Sequence, residues 1–65
     1  MKLKEIRESR GLTQAELAKL SDVNLRLIQA YEQGLKDINK GAVITIYKLS
    51  KALHCRIEDL IEKTV

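Results

Sequence analysis

Apolar residues recur every three or four positions along most of this chain, which is the spacing of amphipathic helices. Near the start, Leu3 and Ile6 are separated by charged residues. This spacing predicts a first helix. We expect it to end before Gly11, because glycine readily adopts the left-handed conformation that closes a helix.

The next two helices are predicted from their capping residues. Thr13 followed by Glu16 forms a capping-box pattern, and it predicts a second helix that runs to about Leu20. The segment "SDVN" then favours a turn, because its polar side chains compete for local backbone hydrogen bonds. Asn24 is suited to cap a third helix that ends at Gly34.

The second half of the chain predicts two further helices. Asn39 is the expected cap of a fourth helix, whose apolar stripe consists of Ile46, Leu49, Ala52 and Leu53. The run "AVITIY" resembles a strand, but a lone strand is unstable, so we assign it to the front of this helix. Ile57, Leu60 and Ile61 mark a last helix. The pattern therefore predicts an all-α fold.

Composition agrees with a small helical domain. The chain has 65 residues, no proline, 45% apolar and 3% aromatic residues, which predicts one domain over residues 1–65. One cysteine, Cys55, excludes an internal disulfide, and with His54 it supplies too few ligands for a structural metal. A bundle this small has little room for a catalytic pocket, so we expect neither an enzyme nor a cofactor.

Charge indicates the kind of partner. The formal net charge is +3 and the pI is near 9.2, which favours polyanions such as nucleic acid. Acidic residues dominate after residue 55, so the positive excess lies earlier. The longest apolar run is too short to span a bilayer and no signal peptide opens the chain, which predicts a cytoplasmic protein without a membrane partner.

Two short helices joined by a tight turn suggest a helix-turn-helix unit at about residues 13–33. The segments "GLTQAELAKLSDVNLRLIQAYEQG" and "LSKALHCRIEDLIE" together resemble the XRE-type family of Cro and phage-repressor proteins. The resemblance covers nearly the whole chain. It implies a lambda-repressor-like five-helix bundle in which the third helix enters the DNA major groove.

The resemblance and side-chain chemistry together indicate DNA-contacting residues. Arg26 and Gln29 are the expected base readers, because these side chain types pair with guanine and adenine edges. Leu25 is expected to contact thymine methyl groups, or else a partner protein. Phosphate contacts are expected at two helix starts, where backbone N–H groups are free, and in the loop after helix three: Thr13, Gln14, Asn24, Lys36 and Lys40.

Other positions have structural roles or depart from the family pattern. The resemblance implies that Arg7 and Glu32 form an ion pair that joins helix one to the end of helix three. Asp22 and His54 stand where the family usually has glycine, and Arg56 stands where it usually has a serine or threonine cap. The chain is also about three residues longer than the family spacing after Gly34.

Two functional classes follow from these observations. The first is a transcriptional regulator, expected to repress, that binds an inverted-repeat operator as a homodimer. Its dimer surface is expected in helix five and the chain end, at Ile61 and Val65. The alternative is a protein-interaction or antitoxin-like module in which Leu25 contacts a protein. No small-molecule ligand is evident in the sequence.

Overall fold

A computed structural model describes residues 2–62, and the helices in this range confirm the all-α prediction. Val65, one of the predicted dimer residues, lies outside the described residues. The elements are α1 (Lys2–Ser9), α2 (Gln14–Ser21), α3 (Leu25–Gln33), a short 3-10 turn (Ile38–Lys40), α4 (Val43–Leu53) and α5 (Ile57–Leu60). Between residues 2 and 62 no helix is both long and apolar enough to cross a membrane.

The helices enclose one hydrophobic core. Helix α2 packs against both α3 and α4, while α1 contacts α3 and α5. Burial of apolar side chains from every helix is the main force that holds such short elements together. The buried apolar residues are Leu3, Leu17, Val23, Ile28, Tyr31, Ile38, Ile46, Leu49, Leu53 and Leu60.

The predicted caps of α2 and α3 are present. Thr13 Oγ1 accepts a hydrogen bond from the Glu16 backbone N–H at 3.0 Å, and Glu16 Oε1 accepts one from the Thr13 N–H at 2.8 Å. Asn24 Oδ1 accepts a hydrogen bond from the Arg26 backbone N–H at 2.8 Å. Gly34 ends α3 in the left-handed conformation with φ of 79°. These local signals therefore predicted the start of α2 and both ends of α3 correctly.

Two other helix ends use left-handed residues that are not glycine. Asp22 closes α2 with φ of 58°, and His54 closes α4 with φ of 55°. A left-handed conformation costs roughly 1–2 kcal/mol for a residue with a Cβ atom, less for Asp than for most. The glycine-like geometry expected from the family pattern is thus kept at both positions. Helix α2 extends one residue further than predicted, to Ser21, whose Oγ donates to the Leu17 carbonyl at 2.6 Å.

The prediction that Asn39 caps the fourth helix is wrong. Asn39 lies within the 3-10 turn, where its backbone N–H donates to Asp37 Oδ1 at 2.9 Å. Helix α4 begins at Val43, and Ala42 before it supplies no side-chain cap. Ile38, placed in a loop by the sequence pattern, is 1% exposed and belongs to the core. The run "AVITIY" does form the front of α4, as predicted.

The last helix is shorter than its apolar pattern predicted. It ends at Leu60, and Ile61 follows as a C-cap residue with an extended backbone. The start of α5 shows the effect of the missing serine or threonine cap. A guanidinium has no acceptor, so Arg56 cannot cap with its side chain. The helix keeps only the reciprocal bond, from the Arg56 backbone N–H to Asp59 Oδ2 at 3.0 Å.

Gly41 allows the chain between the 3-10 turn and α4 to pass close to Tyr31. A Cβ atom at this position would overlap the Tyr31 hydroxyl oxygen and lie 3.2 Å from the Ile38 carbonyl oxygen. The φ of Gly41 is −72°, which any residue adopts. Glycine is therefore needed here for space and not for backbone conformation.

We predict that Gly41→Ala lowers the free energy of unfolding by about 1–3 kcal/mol, the usual cost of overpacking. In a Tyr31→Phe background the overlap with the hydroxyl is gone, so most of this cost should disappear. The matched control is Gly34→Ala, whose added Cβ contacts nothing but whose φ of 79° is strained; Tyr31→Phe should not rescue it. Urea unfolding followed by circular dichroism measures wild type, the three single variants and the two double variants with Tyr31→Phe, and equal costs of Gly41→Ala in both backgrounds would contradict the prediction.

Candidate nucleic-acid interface

A tight turn fixes α3 relative to α2. The turn consists of residues 22–24, and the Val23 backbone N–H donates to the Ala18 carbonyl at 3.3 Å. Val23 is 7% exposed and so anchors the turn in the core. The small Ala18 side chain is partly buried against the same core. The two helices and the turn thus form the arrangement typical of a helix-turn-helix unit.

The carboxylate of Glu32 connects three helices. Arg7 of α1 donates from Nε to Glu32 Oε2 at 2.7 Å and from Nη2 to Oε1 at 2.9 Å. Gln14 at the start of α2 donates from Nε2 to the same Oε1 at 3.0 Å. Arg7 also donates from Nη1 to the Leu12 carbonyl at 2.7 Å. The ion pair expected between Arg7 and Glu32 is therefore part of a larger network that includes Gln14.

Burial of this network makes its charges interdependent. The side chains of Arg7 and Glu32 are 9% and 3% exposed. Burial alone would raise the pKa of Glu32, but hydrogen bonds from Arg7 and Gln14 and the charges of Arg7 and Lys4 outweigh it, so this pKa lies below its ordinary value. The hydrogen bond to Glu32 raises the pKa of Arg7 against the opposing effect of burial. Both groups are consequently charged at neutral pH.

The starts of α2 and α3 have hydrogen-bond donors that the helix caps leave unused. At α2, Thr13 caps the Glu16 N–H, which leaves the N–H groups of Gln14 and Ala15 without an intrahelical acceptor. The Gln14 side chain bonds to Glu32 and lies half-buried, so it is committed partly to the fold. Asn24 uses its Oδ1 as the cap of α3 and keeps its amide N–H groups for an external acceptor.

The side chains predicted to read bases are on α3. Arg26 is exposed, and Gln29, one turn further along, is half-buried. Within residues 2–62 neither side chain has a hydrogen-bond partner, so both are available to a ligand. Leu25 is half-buried at the first position of the helix. Leu27 packs against the core.

A groove of about 370 Å³ separates α3 from the start of α4. Lys36 and Lys40 line it, both exposed, together with Thr45 in the first turn of α4. Ala42 provides no side-chain cap, so the first N–H groups of α4 have no intrahelical or capping acceptor. This helix start differs from the predicted one, which had Asn39 as its cap. No capping residue precedes Val43 in the sequence, and this was the feature that could have indicated a helix start with unused N–H groups.

One family model matches this chain: a helix-turn-helix family, HTH_3, over residues 3–60. The chain is a helix-turn-helix protein of the XRE type. Members of this family are DNA-binding regulators, so the match supports double-stranded DNA as the ligand of this helix-turn-helix protein. No curated protein and no solved structure matches it.

The negative charge of Asp22, in the turn of the helix-turn-helix unit, is partly balanced by a lysine of α4. Asp22, between α2 and α3, lies 3.8 Å from Lys48 Nζ of α4. The Asp22 side chain is 96% exposed, so this pair adds little to stability. It does place a cation beside the carboxylate that would otherwise oppose a polyanion.

His54 and Cys55 of this helix-turn-helix protein contribute to the fold. His54 is exposed and closes α4, while Cys55 is half-buried against the core. Burial, with a contribution from Asp59, raises the pKa of the Cys55 thiol, so the thiol is protonated at neutral pH. Residues 2–62 contain no cluster of three or more side chains that could hold a metal ion.

We predict that Glu32→Gln lowers the free energy of unfolding by about 3–5 kcal/mol at pH 7, because it leaves a buried guanidinium without its counter-charge. A folded-state pKa below the ordinary value means that the stabilisation is present above about pH 4.3 and is lost as pH falls through the folded-state pKa. The difference between the two proteins should thus be constant from pH 7 to about pH 5 and narrow in more acidic buffer.

Urea unfolding at a series of pH values measures this difference. Glu58→Gln, which changes an exposed carboxylate on α5, is the matched control and should change the free energy of unfolding by less than about 0.5 kcal/mol. A gap between wild type and Glu32→Gln that stays constant down to pH 2 would contradict the assigned role of the pair.

Proposed function

We propose that this protein binds specific double-stranded DNA sequences and regulates transcription, with the start of α3 in the major groove. The observation that carries the proposal is the pair Arg26 and Gln29, which lie one turn apart on α3 without partners in residues 2–62. Arginine pairs with guanine and glutamine with adenine through two hydrogen bonds each. Leu25, at the same helix start, is placed to contact a thymine methyl group.

Phosphate contacts in this proposal come from two helix starts and two lysines. The free N–H groups after Thr13 and the amide of Asn24 suit phosphate oxygens on either side of α3. Gln14 contributes its backbone N–H, because its side chain amide already bonds to Glu32. Lys36 and Lys40 supply charge at the groove beside α4.

We further propose that the protein acts as a homodimer on an inverted repeat and represses by occupying a promoter. One short recognition helix reads few base pairs, and a two-fold pair of helices doubles the contact. The predicted dimer surface at α5 includes Ile61, which is half-buried just after that helix. No additional domain is needed for repression by occupancy alone.

A protein-interaction or antitoxin-like role is the second candidate, and one observation favours it. Val43, Ile44 and Tyr47 lie on one side of α4 and are 73%, 60% and 46% exposed. Three large apolar side chains at neighbouring helical positions are typical of a protein contact. Lys48 and Lys51 flank them, so the strip suits a partner surface that carries carboxylates beside apolar groups.

Selection of bound sequences from random duplex DNA tests the proposed function. Enrichment of an inverted repeat would support both the DNA target and the dimer. Binding should also weaken steeply as salt rises, because neutralised phosphates release their counterions. No enrichment, together with no binding to any duplex in dilute buffer, would overturn the proposal and leave the interaction role.

We predict different effects for a base reader and a phosphate contact. Arg26→Ala should remove the preference at one base position, at a cost of about 1–3 kcal/mol for the preferred sequence and far less for others. Lys36→Ala should weaken binding to all duplexes equally and reduce the salt slope by about one. Titration of selected and scrambled duplexes at several salt concentrations measures both effects. A sequence-independent loss for Arg26→Ala would contradict its role as a base reader.

A further inference from the structure

The Asn39 side chain, in the segment between α3 and α4, forms hydrogen bonds with the residues that follow α5. The Glu62 backbone N–H donates to Asn39 Oδ1 at 2.8 Å, and Asn39 Nδ2 donates to the Glu62 carbonyl. The amide of Asn39 therefore pairs with the Glu62 backbone much as one strand residue pairs with another. The two residues are 23 positions apart in the chain, so this contact is purely tertiary.

The partner of Asn39 is itself held in place. Lys2 at the start of α1 donates from its backbone N–H to Glu62 Oε1 at 3.2 Å and from Nζ to the Ile61 carbonyl at 3.3 Å. Leu60, two residues earlier, is completely buried. The segment at Glu62 is thus fixed to the body of the protein from two sides, and it offers Asn39 a firm attachment.

Ile38 and Asn39 hold the segment between α3 and α4 in place through different interactions. The Ile38 side chain is 1% exposed and holds the segment against the core. The Lys36 backbone N–H donates to the Ala30 carbonyl at 3.2 Å, which ties the start of the segment to α3. The paired hydrogen bonds of Asn39 are directional, and they fix the second half of the segment relative to that start.

Those neighbouring residues include the two lysines of the groove. Lys40 follows Asn39 directly and Lys36 precedes it by three positions; both are exposed, and no hydrogen bond or ion pair within residues 2–62 holds either side chain. Their direction is therefore determined by the backbone that carries them. A backbone fixed before binding loses less conformational entropy when the lysines contact phosphate.

We propose that Asn39 is a positioning residue for DNA binding: through its paired bonds to Glu62 it holds Lys36 and Lys40 toward the phosphate backbone. This inference rests on the proposed function. Asn39 itself need not touch DNA, since both hydrogen-bonding ends of its amide are occupied within the protein.

The test compares wild type, Asn39→Ala, the double variant Lys36→Ala/Lys40→Ala and the triple variant that combines them. Affinity is measured for a selected duplex and a scrambled duplex at several salt concentrations. Asn39→Ala should lose about tenfold in affinity for both duplexes, because lysines on a less ordered backbone must be ordered when they bind phosphate, and its salt slope should fall by about one to two. In the background without the two lysines, Asn39→Ala should have no further effect.

Two controls separate positioning from loss of stability. Ser9→Ala removes the bond from Ser9 Oγ to the Ile6 carbonyl in α1 and should leave affinity and salt slope unchanged. Asn39→Gln keeps the amide but displaces it by one methylene, so it should reproduce the effect of Asn39→Ala in a protein of nearly wild-type volume. Circular dichroism gives the folded fraction by which each affinity is corrected.

The outcomes distinguish the inference from the proposed function. If wild type binds no duplex, the proposed function fails and the inference fails with it. If wild type binds with a steep salt dependence and both Asn39 variants match it, the inference alone is overturned. A loss that persists undiminished without the two lysines, with an unchanged salt slope, would show a merely structural role and would also overturn the inference.

Discussion

The buried carboxylate of Glu32 is the interaction on which the arrangement of the first three helices depends. It accepts hydrogen bonds from Arg7 of α1 and from Gln14 at the start of α2, while it lies near the end of α3. Removing a charge from water is costly, and only a full set of donors offsets that cost. The pair therefore acts through geometry: only one placement of the three helices satisfies the carboxylate.

This constraint links stability to the candidate interface. Gln14 lies at the start of α2, where backbone N–H groups are free, and Glu32 lies seven residues from Leu25 at the start of α3. A change in the network would move both helix starts relative to each other. DNA phosphates have fixed spacing, so such a shift would misplace the contacts proposed there even in a chain that remains folded.

The segment from residue 35 to residue 42 shows how a longer connection can remain ordered. Ile38 fills a position in the core, Asp37 caps the 3-10 turn, and Asn39 pairs with Glu62. Gly41 then lets the chain pass the Tyr31 hydroxyl closely. Specific packing and hydrogen bonds thus order this connection. Lys36 and Lys40 therefore extend from a backbone that packing and hydrogen bonds keep in place.

Local interactions explain what the sequence alone determined. The capping box of Thr13 and Glu16, the cap at Asn24 and the left-handed end at Gly34 each involve residues within four positions of one another, so their pattern is visible in the sequence. The helical period likewise identified Ile46, Leu49 and Leu53 as core residues of α4. Fold class, family and the proposed DNA-facing residues of α3 followed from these local signals and the resemblance.

Tertiary structure alone decided the connection between α3 and α4. Asn39 has the side chain of a good cap, but its bonds to Glu62, a residue 23 positions away, occupy it elsewhere. The start of α4 at Val43, the burial of Ile38 and the inclusion of Gln14 in the Glu32 network depend on the same kind of distant contact. Such contacts form only when separate helices pack together, and no pattern of neighbouring residues specifies them.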